Sequence, residues 1–265
     1  MANVMLVLVM LIGIFLVGFL IFGNKSTSPF GPRFSAKPAP DQVLQMLKDG
    51  NERFSGGKSG FQTCDPARIS LAGKSDQGFY AYATVLSCSD SRVPVELIFD
   101  AGIMDLFVVR VAGNVADTDE IGSIEYGLAH VKTPVLVILG HTRCGAVTAV
   151  SQAVGGHGHK LERNIPPLVD NIVPAVKRAM EQHQEVHGDA IVPFAIEENV
   201  WQAVEDLFMK SLAVRDLAKS GTVLVTGAIY DLGTGKVNWL PQAKIGDILK
   251  RVEASPDKET EMYAN

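Results

Sequence analysis

Ala83-Thr84-Val85-Leu86-Ser87-Cys88-Ser89-Asp90-Ser91-Arg92 is the stretch whose reading decides the fold. Its first five residues are a short, largely apolar run, followed at once by a thiol, a carboxylate and a guanidinium. Such a run reads as a strand buried on both faces, as in a parallel sheet. Ligand sites in those sheets lie at the carboxyl ends of the strands, which is where Cys88, Asp90 and Arg92 fall. A second run, 135–139, is rich in valine and other strand formers and leads into Gly140-His141-Thr142-Arg143-Cys144. Two neighbouring strand ends would then bring two thiols, one imidazole and an Asp/Arg pair together.

Working outward, residues 106–110 give a third strand. Helical patterns lie between the strands at 94–99 and at 118–130, the latter with Asp117 or Thr118 as N-cap and Ile121, Ile124 and Leu128 on one side. This alternation predicts right-handed βαβ crossovers and a parallel sheet. A helix starting near Gly145 is broken by the glycine-rich stretch 153–159, and further helices are expected at 167–180 and 193–218. Residues 223–230 return as a strand, and the turn 231–235 leads to a last strand at 236–240 as an antiparallel edge hairpin. Before the sheet, residues 41–54 carry Val43, Leu44, Met46, Leu47 and Phe54 at helical spacing, with Gly50 breaking the pattern late. The expected fold is therefore α/β, a mostly parallel central sheet flanked by helices. One domain should span 41–252, followed by a polar tail at 253–265.

The amino terminus is different in kind. Residues 4–23 contain no charged or strongly polar side chain, and about 20 such residues are what a helix needs to cross a bilayer. A cleaved signal peptide fits less well: Met1-Ala2-Asn3 lacks a basic residue, and Phe22-Gly23-Asn24-Lys25 is a poor cleavage site. Residues 1–23 are thus expected to form a single-pass transmembrane helix, with export after signal cleavage as the alternative. Lys25, Arg33 and Lys37 follow it and favour a cytoplasmic domain, though an exported domain stays open. Residues 24–40, rich in Ser, Pro and Gly, read as a linker.

Net charge is -5 and no run of five basic residues occurs, so no nucleic-acid partner is expected. Hydrophobic residues make up 47% of the chain, enough for a substantial core. Three cysteines cannot build a disulfide framework. Cys64, isolated in a turn-rich stretch, reads as an incidental free thiol, which leaves Cys88, His141 and Cys144. Thiolate and imidazole suit zinc, and three protein ligands leave the fourth position that a catalytic site keeps open.

On these residues the chain resembles the beta-class carbonic anhydrases. The resemblance rests on Ser87-Cys88-Ser89-Asp90-Ser91-Arg92-Val93-Pro94, on Phe107-Val108-Val109-Arg110-Val111-Ala112-Gly113-Asn114, on Ile124-Glu125-Tyr126-Gly127 and on 140–145. It implies one zinc ion per subunit, held by Cys88, His141 and Cys144, with Asp90 and Arg92 as catalytic dyad. It also implies reversible hydration of carbon dioxide to bicarbonate by a zinc-bound hydroxide, and assembly into homodimers or larger oligomers. Asp90 would act as a fourth ligand in an inactive state. Gly113 and Asn114 are expected either to shape the substrate pocket with backbone and amide groups or to serve only as a tight turn. Gln77 answers to a substrate-contacting glutamine only with a shifted spacing. His157 and His159 could relay protons but fit a solvated loop better, and Trp201, Phe208 and Leu212 read as packing or subunit-contact residues. Two thiolates cancel the formal charge of zinc, so the metal would be a weaker Lewis acid than among three histidines, and groups around it matter more. The ligand set does not separate carbon dioxide from carbonyl sulfide or carbon disulfide as substrate. A non-catalytic bicarbonate sensor is disfavoured because Asp90 and Arg92 are both present.

Overall fold

The computed structural model describes residues 36–60 and 64–263. The expected membrane helix at 1–23 and most of the linker lie outside the described residues, among which no helix is long and apolar enough to cross a membrane. A compact unit begins at Ala36. Its first helix, α1 (Pro40–Ser55), has Pro at its start and buries Val43, Leu47, Gly50 and Asn51. Gly50 does not break it. The helix runs on because the missing side chain is where α1 meets another backbone: a Cβ there would lie 2.0 Å from the Phe99 carbonyl oxygen.

Helix α2 (Pro66–Ala72) was not expected, although Asp65 caps it and Pro66 opens it in the standard way. Then come β1 (Ala83–Ser87), the short α3 (Val95–Ile98), β2 (Leu106–Arg110), α4 (Thr118–Glu125) and β3 (Val135–His141). Helix α5 (Gly145–Gln152) is followed by α6 (Ile165–Val169) and α7 (Val173–Gln182), which divide the single helix expected at 167–180. The long α8 (Val192–Lys210) and α9 (Leu212–Lys219) likewise replace one expected helix. Ser211 separates them: it has extended backbone, its hydroxyl accepts the Val214 N–H at 3.1 Å, and it donates to Glu125 Oε1 at 2.6 Å. Strands β4 (Leu224–Tyr230) and β5 (Val237–Trp239) precede α10 (Gln242–Ala254).

The sheet order is β2-β1-β3-β4-β5. The first four strands are parallel and β5 is antiparallel to β4. Every residue of β1 and β3 is buried, which explains their continuous apolar runs. Register sets the site: Ser87 pairs with Arg110 on one side and Leu139 on the other, and His141 pairs with Tyr230.

Two apolar clusters hold the layers together. Leu86, Leu136, Ile138, Trp201, Phe208, Val225 and Ile245 belong to one; Val147, Val150, Ile172, Val176, Ala195 and Ile196 belong to the other, together with Cys88 and Cys144. Helix α8 serves both, its amino-terminal half in the second and its carboxyl half in the first. Trp201 and Phe208 are thus core residues. At the end of the chain, α10 buries Ile245, Ile248 and Val252. Buried Arg215 donates to the carbonyls of Phe208 and Glu259, and the Glu259 N–H bonds the Met209 carbonyl at 2.8 Å. Residues 253–259 of the polar tail are therefore partly helical and fastened to the domain. Lys37 similarly fixes the linker's last residues, donating to the carbonyls of Ala81 and Val131. Burial there lowers its pKa to about 8.

Candidate active site

Cys88 follows β1 directly, His141 ends β3, and Cys144 stands before the first turn of α5. The structure brings the three together: one donor atom from each lies within 4.8 Å of the others, and all three residues are buried. His141 donates Nδ1–H to the Thr142 carbonyl at 2.9 Å, so Nε2 keeps its lone pair. That Nε2 is buried and has no hydrogen-bond partner among the described residues. An orphaned buried nitrogen is costly unless something occupies its lone pair, and two buried thiols beside it make a soft cation the fitting occupant. The three residues fit zinc.

The thiols are coupled. The interaction with Cys144 holds the Cys88 thiol well down, with further help from the Gly113 N–H against the opposing effect of burial. The same pairing, reinforced by burial, pushes Cys144 up. A bound cation would take both as thiolates.

Asp90 lies beside this cluster. Arg92 grips it by a two-pronged ion pair, Nη2 to Oδ2 at 2.6 Å and Nε to Oδ1 at 2.9 Å, and the Arg92 N–H adds a third bond to Oδ1 at 2.9 Å. Those bonds hold the Asp90 carboxyl well below the usual carboxylate range. Asp90 Oδ2 is 3.9 Å from the orphaned His141 Nε2. Arg92 Nη2 also reaches the Arg143 carbonyl at 3.2 Å, joining the two loops.

Gly113 and Asn114 form a tight turn beside the cluster. The Gly113 N–H donates to Cys88 Sγ at 3.3 Å and its carbonyl accepts from Asn199 Nδ2 at 2.7 Å, so both polar groups support the ligand cluster. Asn114 is buried with φ 46 and its Nδ2 has no hydrogen-bond partner among the described residues. Gln77 is exposed at the head of a 3-10 turn, and His157 and His159 are exposed in their loop. Cys64 is exposed and outside the cluster. A cavity of about 560 Å³ lies alongside, lined by Thr142, Arg143, Ile196 and Ile229 among others, but not by the three donors or Asp90.

Two supporting residues escaped the sequence reading. Arg110, brought beside Ser87 by the β1–β2 register, donates to the Cys88 carbonyl at 3.0 Å and the Asp90 carbonyl at 2.6 Å. It stood inside a quoted run, so its position was a signal. Asn199 gave only a weak one, a polar residue within an apolar helical face.

Two thiols, an imidazole and an ion-paired carboxylate at the carboxyl edge of a parallel sheet form a candidate metal-binding enzyme site. Comparisons with known proteins give the family. Residues 83–237 match the carbonic anhydrase family. A carbonic anhydrase of Mycolicibacterium smegmatis is 33% identical over 214 residues, covering 79% of this chain and 96% of the relative. Carbonic anhydrase 2 of Mycobacterium tuberculosis is 33% identical, covering 74% and 91%. A solved β-carbonic anhydrase of Aspergillus fumigatus superposes with a TM-score of 0.61 at 25% identity, covering 80% of this chain and 95% of that one. The chain belongs to the beta-class carbonic anhydrases and is an enzyme of that kind.

Proposed function

We propose that the protein catalyses the reversible hydration of carbon dioxide to bicarbonate and a proton with zinc held by Cys88, His141 and Cys144. The observation that carries this reading is the Arg92-held Asp90 carboxylate, 3.9 Å from an unpartnered ligand nitrogen. Zinc, when bound, supplies the Lewis acidity that brings the pKa of water toward neutrality. Asp90 stays ionised because Arg92 bonds both its oxygens, so it can only accept a hydrogen bond. A water placed beside it would turn a proton toward Oδ2 and leave a lone pair for the carbon of carbon dioxide. Arg92 supports the same geometry twice over, through Asp90 and through the Arg143 carbonyl. If Arg92 lets go, Asp90 is free to turn onto the donor cluster, which is the inactive arrangement.

Stopped-flow hydration of carbon dioxide by the full-length, zinc-loaded protein is the test, with Asp90→Asn losing activity while retaining zinc. Zinc-loaded protein without turnover from pH 6 to 9 would refute the reading. Rapid consumption of carbonyl sulfide beside absent carbon dioxide activity would move the substrate to that class.

Self-association is part of the proposal. A structural relative from Sordaria macrospora, 21% identical with a TM-score of 0.58, is described as tetrameric. In this chain β2 ends the sheet with its residues only partly buried, and Phe107 packs beside exposed Tyr126. An unpaired apolar edge favours pairing with another copy; light scattering of the purified protein distinguishes monomer from oligomer. Residues 4–23 we assign to a single-pass anchor, tested by protease accessibility of the domain in intact cells.

A further inference from the structure

Asn199 lies midway along α8, between the residues that serve one apolar cluster and those that serve the other. It is 2% exposed. Asparagine is a poor helix former, and a buried amide costs free energy unless it is bonded. The helix carries it nonetheless, and its Nδ2 spans 86 positions of sequence to the Gly113 carbonyl at 2.7 Å.

Gly113 is an unusual recipient. It has φ 77 and is followed by Asn114 at φ 46, two left-handed residues in succession. Within the turn, the Asn114 N–H bonds the Val111 carbonyl at 3.1 Å. A side chain at Gly113 would lie 2.6 Å from Ile172 Cδ1 and 3.2 Å from Ala146 Cβ, so packing closes one side of the turn. Asn199 closes it from the carbonyl end. With its carbonyl fixed, Gly113 has little freedom in φ or ψ, and its N–H stays aimed at Cys88 Sγ, 3.3 Å away.

We propose that Asn199 is a positioning residue for the metal centre: by holding the Gly113 carbonyl it aims the Gly113 N–H at Cys88 Sγ and fixes that sulfur where a metal ligand must stand. This rests on the zinc reading above. Groups that orient ligands from behind typically change metal affinity 10–100-fold when removed. Asn199→Asp is the sharp variant, because it keeps the shape and puts an acceptor against the Gly113 carbonyl. Asn199→Leu fills the space without a donor and covers the case in which a buried aspartate prevents folding.

The control is Asn51, also buried, which donates to the carbonyls of Ile98 and Gly235 and accepts the Val237 N–H, with no bond to the donor cluster. Asn51→Ala should lower stability as a structural loss does. The readouts are zinc affinity, by competition with a chromophoric chelator, and the thiolate-to-cobalt charge-transfer and d–d bands of the cobalt-substituted full-length protein. Either Asn199 variant should bind zinc 10–100-fold more weakly with shifted cobalt bands, while Asn51→Ala stays within twofold of the unaltered protein with unmoved bands. Folded Asn199 variants with unchanged affinity and spectra would overturn the proposal, and so would an Asn51 variant shifted equally. An unaltered protein that takes up neither metal would instead overturn the zinc reading itself.

Discussion

Replacing Gly50 by alanine should destabilise the protein, although alanine is the better helix former by about 1 kcal/mol. An added Cβ would sit 2.0 Å from the Phe99 carbonyl oxygen and 2.8 Å from its carbon, both backbone atoms that no side-chain rotation can move. Ordinary carbon–oxygen contact begins near about 3.3 Å, so α1 would have to withdraw by roughly 1 Å. The adjacent Asn51 could not follow without losing its bonds to Ile98 at 3.1 Å, Gly235 at 2.9 Å and Val237 at 2.8 Å. Overpacking costs about 1–3 kcal/mol and the three buried bonds about 1 kcal/mol each, which against the propensity gain of about 1 kcal/mol leaves a net loss of about 3–5 kcal/mol. Urea unfolding of the full-length protein in mild detergent, followed by circular dichroism, reads this as a lower midpoint at unchanged slope. A Gly50→Ala protein as stable as the original would refute the reasoning, since that is the outcome helix propensity alone predicts. The contact matters for the site because Phe99 closes the short α3, which opens three residues after Arg92.

Three further outcomes are expected. Arg92→Ala should fold normally and lose activity 10–100-fold, because Asp90 then has no guanidinium to hold it; an unchanged pH and rate profile would contradict the role given to Arg92. Asp206 has its pKa raised by burial, from 3.8 to about 6. The folded state therefore binds its proton more tightly than the unfolded chain does, and stability falls as pH rises through the window from about 4 to about 6. Allowing for its partial exposure, Asp206→Asn should gain about 1–2 kcal/mol at pH 7.5 and nothing at pH 4, and equal changes in Tm at the two pH values would argue against it. Stripping the metal with a chelator should lower Tm, with recovery on adding zinc, since a ligand bound only by the folded state adds to stability.

Strands β1 and β2 fall where the apolar runs place them: β1 is buried throughout, and β2, though only partly buried at the sheet edge, keeps an apolar run up to Arg110. β3 is longer than its run, since Gly140 and His141 stay in the sheet by pairing with Ile229 and Tyr230. The donors were legible for the same reason: Cys88 and His141 stand at strand ends, and Cys144 follows three residues on. The break at Ser211 was not, because an apolar periodicity continues across it and only a capping hydroxyl marks the turn. Helix α10 did leave a trace, Ile245, Ile248 and Val252 at helical spacing, obscured by the charged residues between them. Asn199 and Arg110 could not be assigned from the chain alone: their roles exist only through contacts with Gly113, Cys88 and Asp90 that the fold creates.

The turn between His141 and Cys144 shows how the remaining geometry is held. Arg143 is non-glycine with φ 56, a conformation that costs an L-residue about 1–2 kcal/mol. It reverses the chain within three residues, so that the last residue of β3 and the residue before α5 offer their donors to one point. Bonds on both sides hold the turn. The Thr142 N–H meets the Tyr230 carbonyl at 2.9 Å, Thr142 Oγ1 accepts the Leu232 N–H at 3.0 Å, and the Arg143 carbonyl accepts from Arg92. Arg92 thereby couples two tasks, since the guanidinium that restrains Asp90 also braces the loop carrying two of the three donors. A shift of Arg92 would therefore loosen both together.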